Sequence, residues 1–98
     1  MKPARRIIRL LSSGHVTIEK RRRLEDGLWG WCDYENRTLF IYRRLCEKTQ
    51  VRILIHESLH FLHPSESEDW VLNREEAIFN ELLHEESSEL VRILRQVR

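Results

Sequence analysis

Apolar residues fall along the chain in stretches whose periods differ. Over residues 4 to 12, Ile7, Ile8, Leu10 and Leu11 recur among arginines at helical spacing, predicting a helix that Ser12, Ser13 and Gly14 end. Val16 and Ile18 then alternate with polar neighbours, the period of a strand. Leu28 to Asp33, a polar turn at Glu35 to Arg37, and Thr38 to Tyr42 read as a hairpin. Trp29 and Trp31 share one face of it and are expected to cover the helix that follows. Gly30, between them, leaves the other face open to close backbone approach.

The next stretch is almost continuously apolar: Val51, Ile53, Leu54, Ile55, Leu59, Phe61 and Leu62. It predicts a buried helix with Thr49 as its cap and Pro64 as its stop. A second helical run is expected from about Ser67 to His84, capped by Ser67, with Glu68 and Asp69 at the positive end of its dipole. Val71, Leu72, Ile78, Phe79, Leu82 and Leu83 share one face of this run. From Ser87 to Arg98, Leu90, Val91, Ile93, Leu94 and Val97 repeat at helical spacing, which predicts a packing helix or one that covers a cleft. The class expected is α+β: about three mainly antiparallel strands packed on two central helices, with helices at both ends.

Polar residues interrupt this pattern in two places. His56, Glu57 and His60 spell HESLH inside the most apolar helix. Residues four apart lie on one helix face, so His56 and His60 can hold one zinc ion while Glu57 reaches a water beside it. Imidazoles leaving water still need partners for their ring nitrogens, and a metal is one such partner. The other reading is a core whose histidines are satisfied by hydrogen bonds.

A catalytic zinc needs a third protein ligand and an open fourth position. One class of HExxH enzymes takes a His six residues after the second, but Glu66 stands there. His63 lies seven residues, about 10.5 Å of helix, from His56, too far to share the ion, and reads as a surface or cleft-lip residue. The second interruption supplies the ligand: Glu75 falls in the centre of the apolar face of the second run, where a carboxylate is costly unless paired or bound to a cation. Glu76, at the edge of that face, is its rival, and an ion pair to an arginine is the bland alternative for Glu75.

HESLHFLHP followed by EEAIFNELL resembles the gluzincin class of zinc metallopeptidases, and the short chain is similar to the minigluzincins. The resemblance runs from about Gly27 to Leu83. It implies a zincin-like fold, one Zn2+ on His56, His60 and Glu75, Glu57 as base and acid, and hydrolysis of peptide bonds. It also implies that an extended peptide substrate would add to the strand before the active-site helix, near Thr38 to Tyr42. Oxyanion donors are expected among His63, His84, Tyr34 and Tyr42. The alternative is a zinc-stabilised interaction module without activity.

Ninety-eight residues, 41% of them hydrophobic, support one modest core and hence one domain. No apolar stretch is long enough for a membrane span and no export signal is read, so a cytoplasmic protein with reduced Cys32 and Cys46 is expected. A thiolate from one of them, blocking the metal, is the regulatory alternative. Basic residues at Arg5, Arg6, Arg9, Lys20 to Arg23, Arg43, Arg44, Arg95 and Arg98 allow a nucleic-acid patch in principle, but a net charge of +1 disfavours it. The partners expected are a peptide or protein substrate, with a second copy of the chain in a homodimer as a further partner, and no membrane.

Overall fold

The computed structural model describes residues 1–98 as four helices and three strands. Helix α1 spans Pro3–Ser12, strand β1 Thr17–Arg21, β2 Gly30–Asp33 and β3 Thr38–Tyr42; helices α2, α3 and α4 span Glu47–Leu62, Glu68–Asn80 and His84–Arg95. The α+β class expected from the periodicities is therefore present, with helices at both ends.

The sheet is mixed rather than mainly antiparallel. Its order is β1-β3-β2, with β1 parallel to β3 and β2 antiparallel to it. The hairpin forms as its turn residues dictate: Asp33 accepts from the Asn36 backbone at 3.1 Å and from its side-chain amide at 2.9 Å, and Arg37 takes a left-handed φ of 50°. Between β1 and β2 the chain crosses one strand width. Two successive left-handed residues, Asp26 and Gly27, turn it, and the gap left behind is filled by β3. Alternation of apolar and polar residues predicts strands, but not which neighbour each one takes. Because β3 is central, both its edges are paired. The two outer strands, β1 and β2, each keep a free edge, and the one whose residues line the cleft is β2, not the Thr38 to Tyr42 strand anticipated for receiving a peptide.

Helix α2 is the axis of the molecule, touching the sheet and each of the other three helices. Leu54 and Ile55 have no exposed surface and Leu59 almost none; they pack with Leu39 and Ile41 of β3, Ile7 of α1, Val71 and Ile78 of α3, and Leu90 and Leu94 of α4. Each such side chain contributes about 1.5–3 kcal/mol on burial. The cap of α2 is Cys46 rather than Thr49, which sits in the first turn with its hydroxyl 3.2 Å from Cys46 Sγ. Arg95 closes the other side, donating to both oxygens of Glu47 at 2.9 Å and so joining the last turn of α4 to the first of α2.

The second helical run is broken where continuity was expected. Helix α3 ends at Asn80 and α4 starts at His84, so Leu82 and Leu83 lie in the connection. Glu86 makes the break favourable: its Oε1 accepts from the Leu83 backbone at 2.9 Å, and its Oε2 lies 3.4 Å from Arg5 of α1. No helix is long and apolar enough to cross a membrane.

Candidate metal site and cleft

The turn between α2 and α3 sets the site. His63 ends α2, Pro64 prevents its continuation, and Ser67 caps α3 by accepting from the Trp70 backbone at 3.1 Å. Helix α3 therefore folds back along α2, with Glu68 in its first turn and Glu75 two turns on. Both carboxylates then face the histidines of α2.

His56 and His60 stand with ring centroids 4.9 Å apart. His56 Nε2 lies 2.7 Å from Glu68 Oε1, and His60 Nε2 lies 2.9 Å from Glu68 Oε2. Ligand atoms of His56, His60 and Glu68 all fall within 4.8 Å of one another, so these three can hold a metal ion. The imidazoles are largely enclosed, with side-chain exposures of 12% and 17%, whereas Glu68 is 59% exposed.

Glu75, read from the sequence as the third ligand, takes a different place. Its Oε1 lies 2.7 Å from His56 Nδ1, the nitrogen away from the group of three, and its Oε2 accepts from Arg52 Nε at 3.0 Å. It is thus buried and paired, as its position in the apolar face demands, and it orients His56 from behind. Glu76 points to solvent without an ion pair. In the sequence an acidic residue in a first helical turn is sufficiently explained by the dipole; only the fold-back of α3 along α2 brings Glu68 to both histidines.

Glu57 is 6% exposed. Burial pushes its carboxyl up to about 7, the His56 charge opposes this, and the nearby Glu68 and Glu75 charges add to it. Space for it exists because residue 30 is glycine: a Cβ there would come within 2.8 Å of Glu57 Oε2 and 2.4 Å of Ile53 Cγ2. The sequence predicts close backbone approach at Gly30, and what packs against it instead are the side chains of Ile53 and Glu57. For His56, burial lowers the imidazole's proton affinity, but the Glu75 hydrogen bond and the charges of Glu57, Glu68 and Glu75 raise it above the ordinary range on balance. For Glu75, burial works upward while His56 and Arg52 hold the carboxyl below its ordinary range.

These groups lie in a cleft of about 850 Å³ between α2, α3 and β2. Trp29 and Trp31 do not cover the helix, since Gly30 and buried Cys32 occupy that face. They are about half exposed and line the cleft, with Trp31 stacked on Phe40 at 5.8 Å. Among the expected oxyanion donors, Tyr34 lines the cleft. His63 packs against Trp70, Tyr42 borders another depression, and His84 lies at the start of α4. No residue of α4 lines the cleft. Cys32 does, but burial, with the charges of Glu57 and Asp33, pushes its thiol up to about 12, so it is not a thiolate at neutral pH. Both cysteines are free; Cys46 is exposed and does not itself line the cleft, although its Sγ lies 3.2 Å from the hydroxyl of Thr49, which does. Comparison with known proteins returns no matching family model, no matching curated protein and no solved structure of matching fold.

Proposed function

We propose that the protein is a zinc-dependent metallopeptidase. The observation carrying this reading is the juxtaposition of Glu57, buried with a carboxyl near 7, and the His56–His60–Glu68 group, both opening on one cleft. Two imidazole nitrogens and a carboxylate oxygen form a donor set that suits zinc and leaves a coordination position for a reactant. Bound there, the ion supplies Lewis acidity toward water and a carbonyl group.

The chain's own residues account for the remaining work. Glu75 holds His56 with Nε2 toward the ligand group, and Arg52 holds Glu75 in turn. Glu57, with a proton affinity matched to neutral pH, takes a proton from the attacking water and returns it to the leaving amine. Tyr34 offers a hydroxyl at the cleft wall. The free edge of β2 lies along the cleft, where an extended peptide can add as a further strand and so present a carbonyl to Glu57.

The test pairs zinc content with cleavage of a mixed-peptide pool. One zinc per chain in wild type and Glu57→Gln, with cleavage by wild type alone, supports the reading. Zinc in both with cleavage in neither indicates an interaction module, and absence of zinc removes the reading altogether.

A further inference from the structure

A second depression adjoins the metal cleft at Trp29, which lines both. Its volume is about 750 Å³, and its polar lining consists of Arg22, Arg23, Arg44 and the ring of Tyr42. The parallel register assembles it. Arg21 pairs with Tyr42, and the Arg43 backbone donates to Arg21 O at 2.8 Å, so the basic doublets after β1 and β3 emerge at the same end of the sheet. Tyr42 also donates to Trp29 O at 2.8 Å, bringing the entrance of β2 to the same place. A net charge of +1 conceals this concentration.

None of Arg22, Arg23, Arg43 or Arg44 has a carboxylate within ion-pair distance, whereas Arg5, Arg21, Arg52, Arg92 and Arg95 each have one. The acidic residues of the crossing, Glu25 and Asp26, do not line the depression. Several guanidinium groups grouped without counter-charge fit an anionic ligand. Continuity with the cleft decides which one. A peptide lying along the free edge of β2 at Gly30 leaves the cleft over Trp29 and enters this depression. With an advance of about 3.3 Å per residue, side chains about two to four positions from the bond at Glu57 reach the arginines.

We propose that Arg22, Arg23 and Arg44 form an extended subsite that selects polypeptides carrying acidic residues two to four positions to one side of the bond presented to Glu57. This rests on the metallopeptidase reading for the position of that bond, but its binding test does not depend on cleavage. Trp29 and Tyr42 supply apolar contact for the stems of the acidic side chains. Selection is electrostatic and weakens as salt screens it.

The test uses the full zinc-loaded chain carrying Glu57→Gln and two labelled decapeptides, one neutral and one with three acidic residues toward one end, read by fluorescence anisotropy. Three exposed ion pairs predict about ten-fold tighter binding of the acidic peptide at low salt. Combined Arg22→Gln, Arg23→Gln and Arg44→Gln should remove that preference. An equal charge change at Arg6, Arg9 and Arg98 should retain it. The single Arg44→Gln, with partial loss, guards against misfolding of the triple variant, and the change of peptide leaves the protein untouched. Equal or undetectable binding of the two peptides overturns the proposal, as does a preference that survives the triple variant. Displacement by a single-stranded oligonucleotide that binds more tightly through the same arginines also overturns it, in favour of a nucleic-acid site. Acidic preference in binding without cleavage of either peptide by wild type retains the subsite and removes the peptidase reading. Cleavage of both without preference does the reverse.

Discussion

Glu75 Oε1 lies 2.7 Å from His56 Nδ1, on the opposite side of the imidazole from Glu68. The ring is gripped at both nitrogens by carboxylates from one helix, seven residues and about two turns apart. This assigns the two acids different work. Glu68 shares the exposed side with His60, and Glu75 fixes the ring.

The difference is measurable. On the proposed zinc reading, Glu75→Gln should retain one zinc per chain but weaken it about 10–100-fold, the usual effect of removing a carboxylate behind a ligating histidine. Glu68→Ala removes one of the three proposed ligand groups and should weaken zinc more than Glu75→Gln does. Competition with a chelating dye orders the two. The reverse order would make Glu75 the ligand.

Glu57 carries a cost when no metal is bound. Its folded carboxyl titrates near 7 against an ordinary 4.5, so the folded chain binds the proton more tightly than the unfolded chain. This contribution to stability is fully present below pH 4.5 and disappears as pH rises through 7, leaving a buried charge above it. Glu57→Gln in chelator should therefore melt close to wild type at pH 4.5 and higher than wild type at pH 8. The gain at pH 8 is on the order of 2–3 kcal/mol. Thermal denaturation at the two pH values checks it, and an equal difference at both would contradict the buried-charge account.

Gly30 is a steric requirement. In Gly30→Ala the new methyl must displace Ile53 and Glu57, since its Cβ would stand 2.4 Å and 2.8 Å from their atoms. A loss of about 1–3 kcal/mol is expected from overpacking. Urea denaturation measures it. Zinc affinity should fall less than in Glu68→Ala, because no donor is removed.

The contact between Glu86 and Arg5 supports the ends of the chain. Glu86 is 1% exposed and bonds the Leu83 backbone as well as facing Arg5. Glu86→Ala should cost about 1–3 kcal/mol by leaving the Leu83 N–H without its partner and α4 without its link to α1. Zinc stoichiometry should stay at that of wild type, since the pair lies outside the cleft. Denaturation together with metal content separates these two effects.

The local periodicities foretold the helices at both ends, the hairpin, the Ser67 cap, the histidine pair on one face of α2, and the buried carboxylate at position 75. Each of these depends on neighbours within a turn or a strand pair, and such information is written in spacing. Three features depend on how elements meet. The place of β3 between β1 and β2 arises from the crossing at Asp26 and Gly27 and leaves the free edges on β1 and β2. The fold-back of α3 along α2 brings Glu68 to the Nε2 atoms and puts Glu75 behind His56. The parallel register gathers two distant arginine doublets at one end of the sheet. In each case the deciding contact joins segments whose relative orientation no local spacing specifies, because it is set by how their apolar faces share one core.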